Sequence, residues 1–264
     1  RIDVHMHICP RAFHDALDNH NLSGPPVSTS SGATHALTSL DVDRAILSCS
    51  VPGPAVAGTG APGRELARAC NNQCLEFIAK NPSHLSFFGV TPSWIDVAGT
   101  LAEIDYVLVE KKLPGIVAMA VYDEKLLGDP IFAPIWKRLD ELNTIVFIHP
   151  TASSLHPSLI AGKLPQFVAD FPYQTTRTAL DLVLSGTVTT HPHVKMILPH
   201  AGGTLPYLAG KVLASCSMAT ELTQDDIKDA FSRFYFDVAL STARIPLRAL
   251  LDFTSPDRIL FGSD

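Results

Sequence analysis

The chain lacks the features that mark membrane, secreted and nucleic-acid-binding proteins. None of its apolar runs approaches the length of a membrane span, and it does not open with a basic segment followed by an apolar one. Basic residues are also scarce, since 20 Lys and Arg stand against 26 Asp and Glu, a formal net charge of −6. We therefore expect neither a membrane nor a nucleic acid among its partners. A small anionic substrate is still compatible with this charge, because a metal ion supplies positive charge locally.

Cysteine is sparse and shows no pairing pattern. No Cys-x-x-Cys occurs, and the set is odd in number and scattered: Cys9, Cys49, Cys70, Cys74 and Cys216. This usage predicts free thiols in a reducing compartment, and hence a cytoplasmic protein. Cys9 follows His7 by two residues, but we interpret it as a small packed residue rather than as a metal ligand.

A Gly-rich phosphate turn is missing as well, which argues against a doubly wound nucleotide-binding sheet. With 264 residues and 46% hydrophobic content, the chain can bury one large core. Its apolar patterning predicts eight strands, over 2–8, 44–50, 85–90, 115–121, 144–149, 194–200, 234–240 and 258–264. The helices are predicted over 62–80, 97–112, 130–142, 174–189 and 246–253, with another opening near 203.

This alternation favours a TIM (β/α)8 barrel as a single domain over residues 1–264. The segment 9–38, rich in Ser, Gly, Pro and His, is predicted to be an irregular insertion after the first strand: a lid, a binding loop or a disordered segment. The chain begins at Arg1 and stops with the eighth strand. We therefore expect the natural protein to extend beyond both ends.

The first strand carries the most informative pattern. Apolar residues alternate with Asp3, His5 and His7, so the three polar side chains share one face. Two imidazoles at this spacing are able to bind one metal ion, although the same pattern also occurs as paired polar residues at a strand end. The ends of the other strands decide between these interpretations.

Four of the predicted strands end in residue types that commonly bind metal ions in proteins. His5 and His7 end the first strand, His149 the fifth, His200 the sixth and Asp264 the eighth. In a barrel these ends meet at one mouth, where active sites lie. Three imidazoles and a carboxylate suit Zn²⁺, with Mn²⁺ as the alternative. We predict one divalent ion held by His5, His7, His149 and Asp264, with His200 free to act as acid or base.

The other histidines fall at different places. His191 and His193 repeat the His-x-His spacing but precede the sixth strand, at the amino-terminal face, where residues usually serve stability. We expect these two, and His84 before the third strand, to be structural or exposed. His156 follows the fifth strand and is a minor candidate for substrate contact. The histidines of the insertion are expected on the surface: His14, His20 and His35.

Motifs along the whole chain resemble the amidohydrolase superfamily, in the branch that contains aminocarboxymuconate-semialdehyde decarboxylase and the non-oxidative aromatic-acid decarboxylases. The matching stretches are Ile2-Asp-Val-His-Met-His7, Asp129-Pro-Ile-Phe132, Val146-Phe-Ile-His-Pro150, Thr175-Thr-Arg-Thr178, His200-Ala-Gly-Gly-Thr-Leu-Pro206 and Ile259-Leu-Phe-Gly-Ser-Asp264. The resemblance implies a metal-dependent carboxy-lyase in which His5, His7, His149 and Asp264 are ligands and His200 is catalytic. Two stretches are most similar to 6-methylsalicylate decarboxylases: Thr175-Thr-Arg-Thr178 and Leu205-Pro-Tyr207.

The chain departs from that branch in two respects. Members that retain an arginine after the His-Ala-Gly-Gly stretch use it to hold the substrate carboxylate across a dimer, whereas this chain has Lys211 there. Lysine keeps the charge but not the bidentate fork. The bridging lysine of two-metal members has no counterpart at the end of the fourth strand, so the resemblance implies one ion. It also implies a homodimer or a higher homo-oligomer.

The activity that the resemblance implies is non-oxidative decarboxylation of a 2-hydroxybenzoate-type acid, similar to 6-methylsalicylate. The ring is protonated at the carboxyl-bearing carbon, Asp264 and the neighbouring His200 relay the proton, and CO₂ leaves. The ligand set also permits hydrolysis of a cyclic amide or lactone, which is the alternative, while the complete constellation disfavours a non-catalytic scaffold. Candidates for substrate binding are three aromatic residues and one guanidinium: Trp94, Tyr122, Phe171 and Arg177.

Overall fold

Parallel strands and helices alternate through the computed structural model, which describes residues 1–152, 158–218 and 220–264. The strands are β1 (Ile2–Ile8), β2 (Arg44–Cys49), β3 (Leu85–Phe87), β4 (Gly89–Val90), β5 (Gly115–Met119), β6 (Val121–Tyr122), β7 (Lys125–Leu126), β8 (Ile145–His149), β9 (Leu159–Ile160), β10 (Leu164–Pro165), β11 (Lys195–Leu198), β12 (Tyr235–Asp237) and β13 (Ile259–Leu260). The helices are α1 (Arg11–Asn19), α2 (Ser30–Ser39), α3 (Ala61–Ile78), α4 (Val97–Ile104), α5 (Ala133–Glu141), α6 (Phe167–Leu184), α7 (Thr187–Thr190), α8 (Leu205–Ser215), α9 (Gln224–Ser232) and α10 (Arg244–Phe253).

The strands follow one another around the molecule in chain order. One parallel sheet has the order β1-β2-β3, and a second has the order β13-β12-β11-β8-β5-β4. The two sheets meet at one side because β3 and β4 are separated by a single residue. They meet at the other because Asp3 pairs in parallel with Phe261 and the Val4 N–H donates to the Phe261 carbonyl at 3.0 Å. This is the strand order of a TIM barrel, as predicted.

All eight predicted strands are present, but several end earlier than expected. The sixth ends at Leu198, so His200 lies in a 3-10 turn, and the seventh ends at Asp237. The six predicted helices match α3, α4, α5, α6, α8 and α10. A π-helical segment, Asp105–Glu110, continues α4. β5 is buried along its whole length, as a central parallel strand should be. Among the described residues, no helix combines the length and apolarity that a bilayer span requires.

The segment after β1, expected to be irregular over 9–38, contains two helices. α1 buries Phe13 and Leu17, which are four residues apart and therefore lie on the same face of the helix. α2 begins after Thr29, whose side chain accepts from the Gly32 N–H, and it buries Leu37. Ser, Thr and Gly have weak helical propensity and dominate α2, so composition concealed that helix. α1 contains none of these residues, and it was missed because the Ser-, Gly- and Pro-rich residues that follow it set the overall composition of the segment. In both helices, packing of a few apolar side chains supplies most of the stability.

Candidate metal centre

Side chains from two strands converge at the carboxyl-terminal mouth of the barrel. His5 and His7 both project from β1, and their Nε2 atoms lie 3.3 Å apart. His149 ends β8, and its ring centroid lies 5.2 Å from that of His5 and 4.9 Å from that of His7. One ligand atom from each residue falls within 4.8 Å of the other two. The three imidazoles predicted to share an ion are therefore neighbours.

Asp264 connects this triplet to a fourth histidine. Its Oδ1 lies 3.1 Å from His7 Nε2 and 3.4 Å from His5 Nε2, whereas its Oδ2 lies 3.2 Å from His200 Nε2. The Asp264 N–H donates to the His5 carbonyl at 2.7 Å, which anchors the residue beyond the end of β13. The two oxygens of one carboxylate therefore face different partners.

The outer nitrogen of each clustered imidazole faces an oxygen acceptor. His5 Nδ1 lies 2.9 Å from Asp237 Oδ2, His149 Nδ1 lies 2.6 Å from the carbonyl oxygen of Pro150, and His7 Nδ1 lies 3.4 Å from that of Ser48. These oxygens accept hydrogen bonds, so in the neutral rings Nδ1 carries the proton and Nε2 keeps a free lone pair. The same outer contact is what orients histidine ligands in metal sites.

In the neutral rings, the Nε2 lone pairs of the three histidines therefore lie close together, and one oxygen of Asp264 lies beside those of His5 and His7. The Nε2 of His149 is buried and has no hydrogen-bond partner among the described residues. An unpaired buried acceptor is costly, and a cation shared by these atoms removes that cost. Nitrogen and oxygen ligands of this kind suit Zn²⁺ or Mn²⁺, so the residues fit a divalent ion.

Burial and neighbouring charges set the protonation of the centre. Burial, helped by the His7 and His5 rings, lowers the pKa of His149 well below its usual value, so that ring stays neutral. Burial also opposes charge on His5, but the Asp237 carboxylate outweighs it and raises the pKa of His5 to about 9. For Asp264, burial raises the pKa, and hydrogen bonds led by that of His200 lower it overall. An ion that binds here displaces the extra proton of His5.

Two buried carboxylates, to which the sequence patterns gave no role, hold the centre in place. Asp237 ends β12, and besides the His5 ring it accepts from the His200 N–H at 3.0 Å. Asp3 accepts from the His5 N–H at 2.9 Å and the Ser263 N–H at 3.2 Å, so it joins β1 to the segment before Asp264. Asp237 lies at the carboxyl end of a strand, as the other site residues do. Because the predicted strand extended to residue 240, this end position was not recognised.

His200 lies on a left-handed turn directly after β11. His200 and the three residues that follow it, through Gly203, all have positive φ angles. A Cβ on Gly203 would stand 2.0 Å from the Pro172 carbonyl oxygen of α6, so only glycine allows this approach. The turn directs the His200 ring towards Asp264, and its Nδ1 has no hydrogen-bond partner among residues 1–152, 158–218 and 220–264.

The second His-x-His pair precedes β11, at the other end of the barrel. The His193 side chain is 61% exposed, and its Nδ1 and backbone N–H contact Asp140 at 3.1 and 2.8 Å. His191 Nδ1 lies 3.1 Å from the carbonyl oxygen of Thr187. In the described part of the chain, neither ring joins a cluster of metal-binding atoms. His84 is also exposed, as expected.

The candidate substrate-binding residues fall in three environments. Phe171 on α6 lies edge-on to His149, with ring centroids 6.3 Å apart. Trp94 is fully buried, and its ring stacks on the nearly buried Tyr122 at 5.7 Å. This burial does not fit direct substrate contact by Trp94. Arg177 is exposed on α6 beside Tyr173, and it does not line the cavity at the mouth.

That cavity, of ≈ 720 Å³, opens between the loops that follow β2, β5 and β8. Tyr122 and Met119 form part of its wall, and His20 reaches its rim. Lys211 lies exposed on α8. His156, the other mouth-side candidate, lies outside the described residues.

The chain is similar to several known proteins. A 6-methylsalicylic acid decarboxylase from Aspergillus aculeatus is 40% identical over 280 residues, covering 100% of this chain and 83% of the relative. One from Penicillium expansum is 36% identical over 282 residues, covering 100% and 84%. The structure of a dihydroxybenzoic acid decarboxylase from Polaromonas, with bound manganese and the inhibitor 2-nitroresorcinol, has a TM-score of 0.82 at 20% identity, covering 100% of this chain and 86% of that one. The family model described as amidohydrolase matches residues 2–264, and the chain belongs to this family.

Proposed function

We propose that the chain is a metal-dependent decarboxylase of a hydroxylated aromatic carboxylic acid, of the type that 6-methylsalicylate represents. One observation carries the proposal: Asp264 offers one oxygen to the cluster of His5 and His7 and the other to His200. The same residue thus links metal binding to proton transfer. The two similar relatives are both decarboxylases, and hydrolysis of a cyclic amide or lactone is not favoured.

The proposed metal ligands are His5, His7, His149 and Asp264. Zn²⁺ is our first assignment because nitrogen-rich sites of this size suit it, and Mn²⁺ is the alternative. When bound, a divalent ion supplies Lewis acidity towards the phenolate and carboxylate oxygens of the substrate. Asp237 contributes by fixing the His5 ring through Nδ1.

Proton transfer to the ring is the task proposed for Asp264 and His200. A proton held between His200 Nε2 and Asp264 Oδ2, 3.2 Å apart, is available to a substrate at the mouth. Its delivery to the carboxyl-bearing carbon turns a 2-hydroxybenzoate, ionised at the hydroxyl, into a dienone. The bond to the carboxylate then breaks, its electron pair passes through the ring to the oxygen, and CO₂ leaves as the aromatic phenolate is restored. The Asp237 contact to the His200 N–H keeps this histidine in position.

The direct test uses purified protein loaded in turn with Zn²⁺ and with Mn²⁺. Each form is incubated with salicylate, 6-methylsalicylate and 2,6-dihydroxybenzoate, and CO₂ and the matching phenol are quantified. We expect equimolar CO₂ and phenol from at least one acid without any organic cofactor. Turnover of a lactone or cyclic amide by protein that is inert towards all three acids would contradict the proposal.

We also propose a cytoplasmic homo-oligomer, with a homodimer as the first assignment. All five cysteines are free and buried, as expected of thiols in a reducing compartment. α8 packs against α10, and Tyr207 and Ile245 on these helices are 85% and 83% exposed, an apolar surface that a second copy would cover. Light scattering coupled to size-exclusion chromatography measures the mass. A monomer at all concentrations would contradict this assignment.

A further inference from the structure

The cavity at the mouth adjoins the metal centre through Met119. Met119 is the last residue of β5, and its register partner on β8 is His149. Thr151, two residues after His149, lines the same cavity. Register partners on neighbouring strands lie side by side, so a substrate bound beside His149 is also close to Met119.

The backbone of Met119 is fixed by two aromatic residues that are themselves largely buried. The Met119 N–H donates to the Tyr122 hydroxyl at 2.9 Å, and the Tyr122 ring stacks on Trp94 with an interplanar angle of 11°. Burial raises the pKa of Tyr122, so its hydroxyl keeps its proton. With its backbone held, Met119 can adjust to a substrate only through its thioether side chain. Methionine is the most flexible of the apolar side chains.

The opposite wall approaches the end of this side chain. A Cβ on Gly53 would lie 3.5 Å from Met119 Cε, and the φ angle of Gly53 is +66°, which favours glycine. The short helix that begins there supplies Ala55 and Val56 to the cavity. The wall across from Met119 is therefore made of small apolar residues.

Met119 also lines a second, much smaller cavity of ≈ 10 Å³, together with Val90, Val117 and Thr91. Three other residues line both cavities as well: Pro52, Ala55 and Tyr122. Among the residues shared by the two cavities, Met119 has the longest flexible side chain. Shortening it is therefore the change that we expect to deepen the larger cavity most.

We infer that Met119 is a specificity-determining residue: its thioether forms the wall against which an apolar substituent beside the carboxyl group of the substrate packs. The inference rests on the proposed function, since it assumes an aromatic acid as substrate. Tyr122 lines the same cavity and also holds the Met119 backbone, and Trp94 acts only as a positioning residue behind Tyr122. Ala55 limits the same space from the opposite side.

The test compares kcat/KM for salicylate, 6-methylsalicylate and 6-propylsalicylate in the wild type, Met119→Ala and Met119→Leu. Each methylene that a hydrophobic pocket accommodates changes discrimination roughly 10–200-fold. We therefore expect the propyl-to-hydrogen ratio to rise at least tenfold in Met119→Ala and to stay within about threefold of the wild type in Met119→Leu. Ala55→Leu narrows the cavity and should lower the ratio for the larger acids.

Met196→Ala is the matched control. Met196 is a buried methionine on β11 that lines a different cavity, beside His193 at the amino-terminal end. Its truncation should lower the thermal midpoint without changing the preference among the three acids. The same preference in Met119→Ala as in Met196→Ala, together with no effect of Ala55→Leu, would overturn the inference.

Failure of the proposed function can be distinguished from failure of the inference about Met119. If the wild type turns over none of the acids, that function fails, and the role of Met119 is then measured by calorimetric binding of 2-nitrophenols with hydrogen, methyl or propyl beside the nitro group. A shift of binding preference towards the propyl compound in Met119→Ala supports the inference without turnover. An unchanged preference, or no binding by the wild type, overturns it.

Discussion

Two His-x-His pairs with identical spacing have different surroundings in this molecule. His5 and His7 lie at the carboxyl end of a strand, with their Nε2 atoms 3.3 Å apart and Asp264 Oδ1 between them. His191 and His193 precede a strand at the opposite end, where one ring contacts a main-chain carbonyl oxygen and the other contacts Asp140. The spacing alone therefore carries little information about metal binding.

The outer contacts explain the difference. His5 and His193 each have a carboxylate at Nδ1, Asp237 at 2.9 Å and Asp140 at 3.1 Å. The Nε2 atom of the buried His5 faces ligand atoms of His7 and His149, whereas the His193 side chain is 61% exposed. A carboxylate–histidine contact thus supports a metal site only where burial brings further ligands to the inner nitrogen.

The largest expected effect at the carboxyl-terminal mouth comes from Asp264→Asn. The amide removes the charge from the cluster and places hydrogens where Asp264 Oδ2 now faces His200. We expect weaker metal binding and a loss of decarboxylation of more than ~10⁴-fold, beyond the ~10²–10⁴-fold range of an acid–base group alone. Metal analysis and CO₂ release measure both effects. Full metal content with unimpaired turnover would show that Asp264 is neither a metal ligand nor a catalytic residue.

His200→Ala separates binding from chemistry within the same centre. The His200 ring meets Asp264 Oδ2, whereas His5 and His7 meet Oδ1, so the variant should keep near-full metal occupancy. Turnover should fall by roughly 10²–10⁴-fold, the range for a lost acid–base group. Elemental analysis of the purified variant is the measurement. Loss of the ion together with the imidazole would make His200 a ligand.

Asp237→Asn tests the contact behind His5. Asparagine has one acceptor oxygen, so an uncharged NH2 replaces one of the two carboxylate oxygens that accept from the His5 ring and from the His200 N–H. Without the carboxylate charge behind it, the His5 ring becomes a weaker ligand. We expect metal affinity to fall by about 10–100-fold, measured by competition with a chelator. The matched control is Asp140→Asn, which alters the equivalent contact of His193 and should leave affinity unchanged. An equal loss of metal affinity in the two variants would contradict the assignment of His5, and not His193, to the metal site.

The smallest effect is expected at the amino-terminal face. Burial tends to raise the pKa of Asp140, but hydrogen bonding from His193 prevails and lowers it. A lowered folded-state pKa stabilises the fold above the usual pKa of aspartate, and this contribution is lost as the pH falls through the folded value. Asp140→Ala should therefore lower the free energy of unfolding by up to about 1 kcal/mol at neutral pH. Urea unfolding should show this difference shrinking below about pH 4, and a constant difference would contradict the assignment.

The strand order and the five clustered residues could be predicted because they depend on local information. Apolar runs mark strands, and a barrel places every strand's carboxyl end at one mouth. Asp237 could not be found this way, since its role depends on meeting His5, 232 positions away, at one atom. The burial of Trp94 was equally hidden, because aromatic composition does not reveal which way a side chain faces.

We propose that position in the barrel, and not His-x-His spacing, creates the metal centre. The most direct test is the metal content of two double variants after dialysis against Zn²⁺ and removal of free ion. The variant with His5→Ala and His7→Ala should retain no stoichiometric metal, whereas the one with His191→Ala and His193→Ala should retain one ion per chain, as in the wild type. Equal metal content in the two variants, or its loss only from the second, would contradict the account.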